Sequence, residues 1–159
     1  MRYWFDTEFI EDGRTIDLIS IGIVSEDGRT LYMENAECDL TKASGWVRKN
    51  VFPQLNWTTT FPKIMIRNAM IQFLQQPTEI WAYYSAYDWV AFCQLWGRMI
   101  DMPGWMPKNC FDVKQLAVSK GNPELPKQYT PEHHALNDAI WTSRAWQFLQ
   151  GYNAKECSG

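Results

Sequence analysis

Residues 3–24, Y-W-F-D-T-E-F-I-E-D-G-R-T-I-D-L-I-S-I-G-I-V, read as two strands and the turn between them. In the second strand, residues 16–24, Ile19, Ile21 and Ile23 alternate with Ser20 and Gly22, and Glu11-Asp12-Gly13 supplies the turn. A second turn, Glu26-Asp27-Gly28, leads to a third strand over residues 30–34, so the chain opens as an antiparallel meander. The first strand, residues 3–9, carries Tyr3, Trp4, Phe5 and Phe9, too apolar for an edge position. Side chains alternate across a strand, so Asp6 and Glu8 project from the same face. Two acids on a central strand need compensation.

Beyond residue 34 the period lengthens. Thr41 is a candidate N-cap for a short helix through Trp46 and Val47. A longer helix follows Pro62, with Ile66, Ala69, Met70, Phe73 and Leu74 on one stripe and Pro77 marking its end. Residues 79–84 form a strand. Ser85 then opens a helix whose stripe is Trp89, Phe92, Cys93 and Trp96 and whose stop is Gly97. Met102 to Pro107 is a loop, residues 109–111 a short strand, residues 112–119 a helix, and residues 121–131 irregular. Residues 135–149 form a final helix with Leu136, Ala139 and Ile140 inward. The expected fold is mixed α/β, a five-stranded sheet of three antiparallel strands followed by parallel ones, with helices on its faces.

Composition bounds the rest. A chain of 159 residues, 46% apolar and 21% charged, describes one globular domain over residues 1–159 and excludes disorder. No apolar run approaches the roughly 18 residues of a spanning helix, and Asp6 and Glu8 interrupt the N-terminus where a signal peptide stays apolar, so a soluble, cytoplasmic protein is expected. Cys38, Cys93, Cys110 and Cys157 are too scattered for a zinc ribbon and read as reduced thiols. The net charge of −3 hides an asymmetry. Residues 40–78 hold five cations, Lys42, Arg48, Lys49, Lys63 and Arg67, and no acid, which leaves −8 for the remainder. Trp46, Trp57 and Phe61 interleave with these cations in the manner of a nucleic-acid path.

The residues fit for chemistry lie outside that segment. Asp6 and Glu8 can share a hard cation such as Mg²⁺ or Mn²⁺. Asp88 has two readings: the far end of a capping box, Ser85-x-x-Asp88, or a site residue at the end of a strand and the start of a helix. His133 and Asp138 are five residues apart, about 140° around a helix, so they converge only if His133 precedes the helix that carries Asp138.

Taken in order, four carboxylates and an imidazole at positions 6, 8, 88, 133 and 138 resemble the exonuclease superfamily that carries four acidic residues and a histidine (DEDDh), the ribonuclease T-like branch of the ribonuclease H-like fold. D-T-E-F (6–9), Y-S-A-Y-D (84–88) and H-H-A-L-N-D-A (133–139) are similar to its three motifs, and L-I-S-I-G-I-V (18–24) to its second strand. W-F-D-T-E-F-I-E-D-G and A-Y-D-W-V-A-F-C-Q-L-W-G resemble more narrowly a small bacterial family of 3′-5′ exoribonucleases, first known from mycobacteria and also found in phage and enterobacteria. One departure is Tyr84, at a position where the superfamily commonly has asparagine.

The resemblance implies a metal-dependent enzyme, a homodimer, that releases nucleoside 5′-monophosphates from single-stranded RNA 3′ ends or overhangs. It implies two divalent cations, Mg²⁺ or Mn²⁺, held by Asp6, Glu8, Asp88 and Asp138, with His133 as general base. Thr7 and Phe9 are the candidates for touching substrate, Phe9 by stacking on the terminal base or else as core. The competing expectations are the same chemistry on DNA or short oligonucleotides, and a non-catalytic nucleic-acid-binding module.

Overall fold

The structure, a computed structural model, describes residues 1–152. Its meander is β1 (Arg2–Glu11), β2 (Ile16–Ser25) and β3 (Thr30–Asn35). β1 and β2 are antiparallel, with Asp6 opposite Gly22 and Glu8 opposite Ser20, and β2 and β3 continue those rows to Tyr32 and Glu34. The β1–β2 register shifts once, after Glu8: Phe9 pairs with Leu18, and Ile19 is left without a partner.

The sheet runs β4-β3-β2-β1-β5-β6, with β1 inside it as its apolar residues require. β5 (Glu79–Ala82) lies parallel to β1 and β6 (Phe111–Asp112) parallel to β5. The mixed α/β plan matches the expected ribonuclease H-like arrangement, but the sheet has six strands where five were expected. The additional one, β4 (Thr60–Phe61), pairs with Glu34 and Asn35 of β3. Two residues are too few to carry a period.

The helices are α1 (Gly45–Asn50), α2 (Lys63–Phe73), α3 (Ala86–Cys93), α4 (Val113–Ser119) and α5 (Ala135–Gly151). Thr41 is not the cap expected of it. Asp39 caps a 3-10 turn at Leu40–Lys42, and Ser44 caps α1 by accepting from the Val47 N–H. α3 ends in a 3-10 turn whose stop, Gly97, has φ 89°, a conformation glycine adopts without Cβ strain. Asp112 caps α4, accepting from the N–H groups of Lys114 and Gln115.

Strand alternation divides the core. Tyr3, Phe5, Ile21 and Ile23 point to α2 and α3, where they bury Ile66, Met70 and Phe92. Trp4 and Val24 point the other way, against Val113, Ala117, Ala145 and Leu149 of α4 and α5. Each such fully buried large side chain contributes about 1.5–3 kcal/mol. Asp6 and Glu8 share the face of Trp4 and therefore look toward α5, while Thr7 looks toward α3.

α5 approaches this face so closely that a Cβ on Gly22 would lie 2.2 Å from the Leu136 backbone nitrogen. The glycine opposite Asp6 is thus what admits the start of α5, and with it Asp138, to the acids of β1. Cys38, Cys93 and Cys110 are free thiols, with Cys93 buried, and Cys157 lies outside the described residues. Among the described residues no helix is long and apolar enough to cross a membrane.

Candidate active site

Glu8, His133 and Asp138 present ligand atoms that all lie within 4.8 Å of one another. Asp6, His133 and Asp138 line a cleft of about 480 Å³, together with Tyr83, Trp141 and Lys127. α5 begins at Ala135, so His133 stands in the preceding loop, as its spacing from Asp138 requires. Its φ of 62° lies in the left-handed region, and its N–H donates to Asp138 Oδ2 at 2.9 Å. Gln128, from the irregular segment, donates its side-chain amide to the other oxygen, Oδ1, at 2.6 Å. Asp138 is therefore oriented from both sides.

Asp88 joins from the opposite face of the sheet. The parallel ladder between β1 and β5 runs from Arg2 to Trp4, which leaves the β5-side edge of β1 free further along. There the Thr7 N–H and hydroxyl donate to Asp88 Oδ1 at 2.9 and 2.6 Å. The capping-box reading of Ser85-x-x-Asp88 is not what the structure contains. Ser85 makes no side-chain cap, and its N–H and hydroxyl donate to Asp112 Oδ2 instead. A longer-range acceptor outcompetes the local one and leaves Asp88 for β1.

The electrostatics of the cluster are unfavourable as they stand. Among the described residues no side chain or N–H donates to the Asp6 or Glu8 carboxylate. Burial, then repulsion from Asp88, Glu8 and Asp138, holds the Asp6 carboxyl well above the usual carboxylate range. Burial, then Asp138 and Asp88, pushes Glu8 up to about 8. Burial raises Asp88 to about 6 against the opposing Thr7 hydrogen bonds, and it raises Asp138 against those of Gln128 and His133. Buried carboxylates without donors, beside an imidazole nitrogen, form an oxygen-rich donor set suited to hard divalent cations.

The sequence-predicted residues are placed as follows. Asp6, Glu8, His133 and Asp138 converge, and Asp88 is tied to the same strand through Thr7. Thr7, a candidate for touching substrate, is 4% exposed and gives its hydroxyl to Asp88. Phe9, half-buried, lies parallel to Tyr87 of α3, ring centroids 5.8 Å apart. Trp46 meets the His133 ring edge-on at 4.8 Å. Trp57 packs on Phe52, and Phe61 on the core. Gln128 and Gly22 were missed: Gln128 lies in a segment without periodicity, and Gly22 reads as one more small residue in an alternating strand.

A family profile for the "3'-5' exoribonuclease Rv2179c-like domain" matches residues 1–150. Two curated relatives from strains of Mycobacterium tuberculosis, 3'-5' exoribonuclease Rv2179c and 3'-5' exoribonuclease MT2234.1, are each 43% identical over 149 residues, covering 87% of this chain and 87% of theirs. Among solved structures, one chain in the structure of the yeast NOT1 MIF4G domain co-crystallised with CAF1 superposes with a TM-score of 0.51 at 12% identity, over 96% of this chain and 81% of that one, a likeness of fold. With a profile spanning nearly the whole chain and relatives at this identity, the chain belongs to the Rv2179c-like 3'-5' exoribonuclease family.

Proposed function

We propose that the chain is a single-domain, metal-dependent 3′-5′ exoribonuclease that releases nucleoside 5′-monophosphates from single-stranded RNA 3′ ends or overhangs. The observation that carries this reading is the meeting of Glu8, His133 and Asp138 within 4.8 Å beside Asp6. The names of the mycobacterial relatives and the family profile support the reaction direction and the RNA substrate.

In this reading Asp6, Glu8, Asp88 and Asp138 hold two divalent cations, Mg²⁺ or Mn²⁺. When bound, such ions neutralise the acids and stabilise charge on the attacking and leaving oxygens of a phosphodiester. Asp138 is kept facing the cleft by Gln128 and by the His133 N–H, and Asp88 is kept in place by Thr7. His133 accepts the proton of the attacking water, and the Trp46 ring restricts its imidazole. Phe9, backed by Tyr87, packs against the terminal base, a contact that tolerates any base. Family likeness further implies a cytoplasmic homodimer.

The test is a 5′-labelled RNA ladder with Mg²⁺. One-nucleotide shortening by the parent, its near-complete loss in Asp6→Asn and a large loss in His133→Ala are expected. Oligomeric products, faster trimming of a matched DNA, or an unaffected Asp6→Asn would each refute the proposal. Sedimentation of the purified chain tests the dimer.

A further inference from the structure

Tyr83 lines the cleft that holds the acids. The Tyr83 and Tyr84 rings touch edge to face, centroids 4.8 Å apart, and Tyr84 opens a second groove of about 410 Å³ along α4, lined by Asp112, Lys114, Gln115, Val118 and Ser119. Tyr84 is unusual on two counts. It is 62% exposed, and its φ is 56°, a left-handed conformation that a bulky side chain seldom adopts. The backbone is thus held in a costly form that turns a large aromatic ring outward between two grooves.

The charge along this route suits a polyanion. Asp112, among the described residues the one acid lining the second groove, accepts from Ser85 at one oxygen and from the Lys114 and Gln115 N–H groups at the other. Lys114 donates to the neutral Asn122 side chain at 2.7 Å, and Lys127 reaches over the Tyr129 ring at the edge of the acid cleft. Among the described residues neither lysine pairs with an acid. Three of the five cations of residues 40–78, where the sequence suggested a path, are already engaged. Lys63 pairs with Asp17 at 3.0 Å, Lys42 with Asp39 at 3.6 Å, and Arg48 donates to the carbonyls of Leu40, Thr41 and Ala43.

We infer that the single strand upstream of the reacting 3′ end leaves the acid cleft across Tyr83 and Tyr84 toward α4, with a base stacked on Tyr84 and phosphates beside Lys127 and Lys114. This path rests on the exoribonuclease reading. It requires single-stranded RNA long enough to reach the second groove, whereas a dinucleotide stays within the first.

The experiment compares trimming of a dinucleotide and of an oligoadenylate of about eight nucleotides by the parent, Tyr84→Asn, Tyr84→Phe and the double variant Lys114→Gln/Lys127→Gln. Asparagine suits the left-handed backbone, so Tyr84→Asn removes the ring without disturbing the turn. Its KM for the longer strand rises about tenfold while the dinucleotide is processed as by the parent, and Tyr84→Phe keeps parental values. The double variant lowers the salt slope of binding to the longer strand by about 1.4. Equal effects on both substrates, or none on either, would overturn the path. A parent that trims neither would refute the exoribonuclease reading, and anisotropy of the labelled longer strand in an Asp6→Asn background still tests the path by the same ring loss and salt slope.

Discussion

Glu8 and Glu34 stand on one face of the sheet with Ser20 between them, 8% and 3% exposed. Glu34 accepts from the Tyr32 hydroxyl and from the N–H groups of Asn56 and Trp57. Glu8 accepts from nothing among the described residues and is repelled by Asp138 and Asp88, with Asp6 beside it on β1. The same side chain, equally hidden, is in one place a clamp on a loop and in the other a charge without a partner. Burial alone does not single out Glu8; burial with every donor withheld does.

The largest effect expected from this contrast is on turnover. Glu8→Gln and Asp6→Asn should each lower exonuclease rate by roughly 10³-fold or more, without lowering the melting temperature of the metal-free protein. Glu34→Gln should do the reverse, destabilising by about 1–3 kcal/mol in a denaturant titration while the residual folded enzyme keeps its rate. If both glutamates behaved alike, the distinction would be lost.

Gly22→Ala probes how Glu8 and Asp6 come to face α5 at all. The added Cβ meets backbone that cannot rotate away, so a loss of about 1–3 kcal/mol or more in stability and a large fall in activity should come together.

Acidity should expose the crowded acids around Glu8 next. Asp6, Glu8 and Asp88 have folded-state pKa values raised above those of an unfolded chain. Between the unfolded range near 4 and about 8 the native protein therefore binds more protons than the unfolded one, and stability falls as pH rises through that window. In EDTA the melting temperature should drop from pH 5 to pH 8. Mg²⁺ or Glu8→Gln should flatten the slope.

The smallest effect is at Thr7. Thr7→Val removes one of two hydrogen bonds on Asp88 and should cost about tenfold in rate, with Thr7→Ser restoring most of it. An unaffected rate in Thr7→Val would mean that Asp88 does not need its tether.

Most of the scaffold was legible because it repeats. The alternation of Ile19, Ile21 and Ile23 and the stripe of Ile66, Met70 and Leu74 report burial directly, and both are found in the core. The acids and His133 were legible through their order along the chain and their spacing. What escaped depends on partners distant in sequence. Nothing near Asp88 announces that Thr7, 81 residues away, receives it, or that Asp112 takes Ser85 from the capping box. Gln128 belongs to a stretch with no period, and β4 is too short to have one. Charge counted along the chain does not report neighbours that fold against it, such as Asp17 against Lys63.

The unpaired Ile19 has a reach beyond its own strand. By adding one residue to β2 just past the Glu8 row, it turns the preceding Leu18 to the core of Phe5 and Ile21, while Ile19 itself rests with Ile10 against Ala43, Val47, Val51 and Leu55. That cluster moors α1, whose Trp46 leans on His133. A kink in the sheet is thereby the hinge pin on which the proposed base is steadied, and deleting Ile19 should loosen the imidazole while every acid stays where it is.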